Sequence, residues 1–404
     1  MYVFGKLLRE ALGSEHLDHR IDGAKSRAPL GRDAAAGSIA GLEKSDVILL
    51  VGAAPREEQP VLELRLRKAA RAGAKMIEVS GRPTGVGDRA SLALCPPAGG
   101  EGKVVMAICA AILDDELENR KFIEARTFGV EGLDEMLAKY RPEDVEKEYR
   151  LPEGSIREAA RVLAEAEAMS ILYSRTAAHT HGGEELLAGV TNLALLTGNV
   201  GREGAAPIGL VSGPNEQGAL DMRVAPLAVS ALTGDAMLQA AGDGLRGLIL
   251  LGAEPPGSSP EEGQAAMLEA LGKLDALVAF AAFATPAAQS AHVVFPATTY
   301  PEKDGTYTNL ERRVQRLRPG KLTYDLRPEY QVLCDLANLL GASFSFANPA
   351  AVMAEIAERT PTYSGITYGR VGARGVQWPV VDSVGSAVLY SDAADRLRFV
   401  AVEG

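Results

Sequence analysis

Asp46-Val47-Ile48-Leu49-Leu50-Val51-Gly52-Ala53-Ala54-Pro55 is the stretch that decides the fold. Its apolar run is short enough for a strand buried on both faces, and Gly52-Ala53-Ala54-Pro55 then turns the chain. A helix follows from about Pro60, since proline suits the first helical position. Leu62, Leu66, Ala69 and Ala70 share one of its faces. Glu57 and Glu58 lie at its start and Arg65, Arg67, Lys68 and Arg71 toward its end, which complements the helix dipole. Gly73 stops it, and Lys75-Met76-Ile77-Glu78-Val79 reads as the next strand. Strand, helix and strand in this order predict a parallel sheet.

The same grammar returns further along. Met169 to Tyr173 reads as a strand, Ser174 to Gly183 as a polar loop, and Glu184 to Thr197 as a helix whose buried stripe is Leu186, Val190, Leu193 and Ala194. Leu248 to Leu251 enters Gly252-Ala253-Glu254-Pro255-Pro256-Gly257, and Ser259-Pro260-Glu261-Glu262 caps another helix. Ala276 to Phe280 and His292 to Phe295 supply two more strands. An acidic helical connector, roughly Asp114 to Glu167, lies between the halves. The expected fold class is therefore α/β, with two Rossmann-like parallel-sheet lobes. The first would span 18–165 with the connector, and the second 1–17 with 166–345. Residues 346–404 form a C-terminal segment. From Thr362 it turns glycine-rich, contains the only tryptophan, Trp378, and reads as the start of a β-rich domain.

Composition narrows the function. The 404 residues are 47% hydrophobic and 24% charged, enough apolar side chain for more than one core. A net charge of -11 argues against nonspecific binding to nucleic acid or anionic lipid. Cys95, Cys109 and Cys334 stand far apart with no CxxC pair, so neither a disulfide framework nor an iron–sulfur site can be built from them alone. The N-terminus carries charges where a signal peptide needs its apolar stretch. The most apolar segment, Leu274 to Ala297, is broken by Asp275, Pro286, Gln289 and His292. The expectation is a cytoplasmic protein that reaches a membrane only through a partner.

Several segments could carry chemistry. Gly52-Ala53-Ala54-Pro55 and Gly252-Ala253-Glu254-Pro255 both sit between a strand and a helix, where α/β proteins bind phosphates on free N–H groups. Neither is a GxGxxG fingerprint, and by spacing alone a turn that needs glycine is the favoured reading of each. His179 and His181 could begin a metal site, although no third ligand lies near in sequence. The amides of Asn215 and Gln217 could read a nucleobase edge or cap turns. Glu302, Lys303 and Asp304 could supply acid–base groups, yet no nucleophile, base and orienting group stand together around them. No catalytic residue and no metal ligand is assigned.

Pro301-Glu302-Lys303-Asp304-Gly305-Thr306-Tyr307-Thr308-Asn309 follows the strand His292 to Pro296 and precedes Arg312-Arg313-Val314-Gln315. Together with Gly198-Asn199-Val200-Gly201-Arg202-Glu203-Gly204, Asn215 to Met222 and the helix after Arg327-Pro328, this resembles the molybdopterin oxidoreductase family over about residues 1 to 380. The resemblance implies a molybdopterin guanine dinucleotide pocket. Its contacts would come from Gly52, Ala53, Pro55, Asn199, Asn215, Gln217, Gly252, Glu254, Pro255, Thr285, Lys303, Asp304, Gly305 and Asn309. Within the family, Pro55 to Ala69 resembles the large iron–sulfur subunits of respiratory complex I, the NADH-quinone oxidoreductase. That likeness implies a scaffold in a peripheral arm, with NADH-binding and iron–sulfur subunits as partners and the clusters on other segments. The alternative is a molybdenum or tungsten bis-pterin oxidoreductase of the formate dehydrogenase type, split across genes. Two departures from the family pattern stand out. Arg20 to Ser45 holds no cysteine to bind a metal, and Arg312 stands where the pattern has glycine, as bulk against a phosphate or as charge to hold one.

Overall fold

The computed structural model describes residues 1–20, 29–82, 84, 90–179, 181–211, 213–252, 262–320, 326–381 and 384–402. They gather into two compact units. One comprises Ser26–Gln217, Thr308–Arg313 and Gln377–Gly404, and the other Met1–Lys25, Gly218–Tyr307 and Val314–Val376. We call them the first-sheet and second-sheet units.

In chain order the first-sheet unit has strands β1 Val47–Val51, β2 Lys75–Val79, β3 Leu92–Leu94, β4 Thr127–Phe128, β5 Met169–Ser174 and β6 Ala206–Leu210. β1 pairs in parallel with β2 from Val47↔Lys75 to Val51↔Val79, and with β5 from Val47↔Met169 to Val51↔Tyr173. Parallel β3 and β6 complete the order β3-β2-β1-β5-β6. The central strand is covered on both faces, so all five β1 residues are buried and none is polar. The helix Pro60–Arg71 lays Leu62, Leu66 and Ala69 on that sheet beside Ile48 and Leu50. Each buried leucine contributes about 1.5–3 kcal/mol.

The expected connector does not bridge two halves. Its helices Arg120–Arg126, Leu133–Leu137, Pro142–Tyr149 and Ser155–Ala164 all belong to the first-sheet unit. Pro142 opens its helix at the first position, and Ile156, Ala159, Ala160 and Leu163 form the buried stripe of the last one. β5 and β6, expected from the sequence to belong with 166–345, hydrogen-bond into the β1 sheet instead. A parallel strand needs a long crossover, and 114–167 supplies that crossover rather than a domain linker.

The second-sheet unit contains β7 Gly247–Leu251, β8 Ala276–Ala281 and β9 Val293–Pro296, parallel in that order. Val3, Phe4 and Leu7 pack with Phe280, Leu333 and Ala337 in its core. Phe280 stacks on Phe295 with ring centroids 5.0 Å apart.

Residues 377–402 close onto the first-sheet unit. Leu397–Arg398 pairs in parallel with β4, and Asn192 exchanges two hydrogen bonds with the backbone of Val400. Among the described residues no helix is long and apolar enough to cross a membrane.

Candidate functional site

The order of the first sheet reverses between β1 and β5. At such a reversal the following loops leave toward opposite faces, which is where open α/β sheets bind ligands. Gly52, immediately after β1, has φ +56°, a conformation that favours glycine. A Cβ there would lie 3.2 Å from the Cβ of Ala177, in the loop after β5. The loops after β3 and β5 are equally close: a Cβ on Gly99 would lie 3.0 Å from the His181 carbonyl oxygen, and one on Gly182 only 2.2 Å from that of Gly99.

Three backbone donors at this end of the sheet are engaged by glutamates. Ala54 N–H donates to Glu58 Oε2 at 2.8 Å, and Ser174 Oγ donates to Glu58 Oε1 at 2.7 Å. Gly81 N–H donates to Glu101 Oε1 at 3.0 Å, and Gly99 N–H to Glu101 Oε2 at 2.9 Å. Glu58 closes the short helix Pro55–Glu58, and Glu101 opens the helix Glu101–Asp114. A carboxylate in the first helical turn also meets the positive end of the dipole, which accounts for a buried glutamate at that position.

The cation at this edge is neutralised as well. Arg175, just past β5, pairs with Asp33 at 2.7 Å and Glu216 at 3.5 Å, and its side chain is 8% exposed. Burial works against its charge, but Asp33, Tyr173 and Glu216 outweigh that and raise the guanidinium above its ordinary value. Gly209 in β6 gives these side chains room. A Cβ there would lie 2.8 Å from Tyr173 Oη and 2.9 Å from Arg175 Cγ.

The residues put forward from the sequence fall in both units. In the first-sheet unit, Ala53 and Pro55 are buried beside Gly52. Asn199 Oδ1 accepts from Met169 N–H at 2.9 Å, and its Nδ2 donates to Thr197 Oγ1 at 2.9 Å. Asn215 Oδ1 accepts from Thr308 N–H at 2.8 Å, and Gln217 Nε2 donates to the Asp33 carbonyl at 3.0 Å. Asn309 Oδ1 accepts from the N–H groups of Glu311 at 3.1 Å and Arg313 at 2.9 Å. Arg312 is neither bulk against a phosphate nor a cation aimed at one. Fully buried, its guanidinium donates to the carbonyls of Ala35, Gly37, Trp378 and Ser386.

In the second-sheet unit, Gly252 ends β7 with φ +62°, and among the described residues nothing lies within 4 Å of a Cβ placed on it. Glu254 and Pro255 lie outside the described residues. Thr285 Oγ1 caps the helix Pro286–Gln289 by accepting from Ala288 N–H. Lys303 pairs with Glu329 at 2.8 Å, and Asp304 meets Arg316 and the Tyr368 hydroxyl at 3.3 Å each. Gly305 begins a strand, Gly305–Thr308.

Sequence reasoning missed three residues of this edge: Glu58, Glu101 and Arg175. Glu58 read only as an acid at the start of its helix, Glu101 drew no reading, and the loop signal near Arg175 was its glycines and histidines. His181 is exposed, and the side chain of His179 lies outside the described residues. No group of three or more His, Cys, Asp or Glu among the described residues could hold a metal ion.

A family model for molybdopterin oxidoreductases matches residues 1–339. The F420-dependent formate dehydrogenase subunit alpha of Methanocaldococcus jannaschii is 31% identical over 97% of this chain and 63% of its own length. Formate dehydrogenase H of Escherichia coli is 25% identical over 98% of this chain and 60% of its own. The chain thus spans less than two thirds of these curated relatives. Acetylene hydratase from Pelobacter acetylenicus superposes with a TM-score of 0.70 at 16% identity, covering 98% of this chain and 59% of that one, a likeness of fold.

These likenesses correct the expectation of a complex I subunit, and with it the NADH dehydrogenase role, the respiratory-chain assignment and the NADH-binding and iron–sulfur partners. The relatives it matches include formate dehydrogenase α subunits and formate dehydrogenase H. The segment that suggested complex I, Pro55 to Ala69, is two proline-started helices, the second with a buried Leu62, Leu66, Ala69 stripe. Burial on a sheet demands that pattern of any member with this fold.

Proposed function

This chain belongs to the molybdopterin oxidoreductase family, and on that premise we propose that it serves as an α chain of a formate dehydrogenase-type oxidoreductase. Formate would give carbon dioxide, a proton and two electrons, the electrons passing to an acceptor held by partner subunits of the same complex. The observation that carries the proposal is the similarity to F420-dependent formate dehydrogenase α chains along 97% of this sequence. It covers both α/β units rather than one shared nucleotide-binding half.

The family implies a molybdopterin cofactor. At the end of the first sheet the residues present do not fit the phosphates of a pterin nucleotide, because the N–H groups of Ala54, Gly81 and Gly99 already donate to Glu58 and Glu101. We therefore derive no step through the cofactor.

Anaerobic purification of the complex containing this chain from its native host, followed by formate-dependent dye reduction and molybdenum and tungsten analysis, tests the proposal. Formate oxidation that depends on this chain supports it. A complex that carries the chain and full metal yet leaves formate untouched overturns it.

A further inference from the structure

We infer that the ligand-binding edge of the first sheet is closed to pterin-nucleotide phosphates by the chain's own carboxylates, so that a cofactor of the complex is held by other donors. The inference rests on the family assignment alone and stands or falls separately from formate as substrate.

Three independent features support it. First, a phosphate at this edge needs N–H donors, and those of Ala54, Gly81 and Gly99 are taken by Glu58 and Glu101 at 2.8, 3.0 and 2.9 Å. A carboxylate oxygen accepts from an amide as a phosphate oxygen does, so each glutamate fills the place of an anionic ligand. Second, the buried charge at this edge is already neutralised. Asp33, Glu58, Glu101 and Glu216 stand at this end of the sheet, and the buried cation among them, Arg175, is committed to Asp33 and Glu216. An incoming polyanion meets repulsion that a partly buried, low-dielectric edge strengthens. Third, the loops leave little space. Gly52 approaches Ala177, and Gly99 and Gly182 meet backbone to backbone, where even a Cβ would collide.

The end of β7 differs. Gly252 is exposed and has the same positive φ, with nothing among the described residues within 4 Å of a Cβ there.

The test uses the full chain, free of metal, with inorganic pyrophosphate as probe. Amide hydrogen exchange is followed by mass spectrometry in peptides covering 52–59, 80–84 and 96–101, with and without millimolar pyrophosphate. The wild-type chain should show no added protection there. Glu101→Gln combined with Glu58→Gln, which frees the donors from charged acceptors, should gain protection and bind pyrophosphate at least tenfold more tightly. Added protection of these peptides in the wild-type chain overturns the inference, whatever the variants do. Should the double variant fail to fold, Glu58→Gln alone, at a half-buried side chain, must show the same direction of change, and a folded Glu58→Gln that binds no better than wild type also counts against it. None of these readouts involves formate, so an inactive complex refutes the proposed function without touching this closure.

Discussion

Arg312→Met should unfold the first-sheet unit well below the wild-type temperature. Arg312 is fully buried with φ +66°, a left-handed conformation that costs an L-residue roughly 1–2 kcal/mol and persists only where surrounding bonds enforce it. The enforcing bonds run from its guanidinium to Ala35, Gly37 at 3.0 Å, Trp378 at 3.1 Å and Ser386 at 3.1 Å. Hydrogen bonds from a charged group are worth about 1.5–3 kcal/mol each, so losing these four removes on the order of 6–12 kcal/mol. Methionine also relieves the several kcal/mol spent on burying the charge, which leaves a net loss of about 3–5 kcal/mol. At about 2–4 °C per kcal/mol for a unit of this size, the melting temperature should fall by roughly 6–20 °C. The only tryptophan, Trp378, lies 5.5 Å beneath the guanidinium, so its fluorescence reports this unit's unfolding directly. Arg312→Lys keeps the charge but loses the planar fork and should fall in between. A fluorescence melt of Arg312→Met within about 2 °C of wild type, less than 1 kcal/mol or so of lost stability, would refute the view that this side chain ties the 35–37, 378 and 386 segments together.

Further outcomes follow from other contacts. Gly102→Ala places a Cβ 2.4 Å from the Leu186 backbone nitrogen, where the helices Glu101–Asp114 and Gly183–Leu196 touch, and should cost about 3 kcal/mol, the upper end for overpacking, in denaturant titration. Glu355 is buried enough to raise its carboxyl, but bonds from Lys6 and Tyr2, with Arg359, outweigh that and hold it below the usual carboxylate range. A lowered folded value means its stabilisation is complete above about pH 4.3, the unfolded value, and is lost as pH falls through the folded one. Melts of Glu355→Gln should therefore vary less than wild type in that acid window, and equal slopes would count against the pairing. Cys95 is exposed, while burial pushes the thiols of Cys109 and Cys334 up, so an aromatic disulfide reagent should titrate one thiol quickly in the native chain and three after denaturation.

Local sequence determined a good deal of this protein. Asp46 to Val79 announced a βαβ unit because a doubly buried strand must be continuously apolar and a surface helix must repeat its apolar residues on one face. The observed β1, the helix Pro60–Arg71 and β2 match that expectation. Pro301 to Gln315, read with the other segments, carried the family for the same reason that sequence motifs persist: turns and close contacts constrain residue identity directly. The member of the family was not legible in Pro55 to Ala69, where burial alone sets the pattern.

Tertiary structure decided the rest. Which sheet β5 joins, bringing β6 with it, depends on hydrogen bonds to β1, more than a hundred residues away, which no local period encodes. In the chain Glu58 read as an acid at the start of a helix, and Glu101 and Arg175 carried no local signal. Their meaning came from the amides and carboxylates that folding placed against them, and an amide's availability to a ligand depends on what else has already reached it.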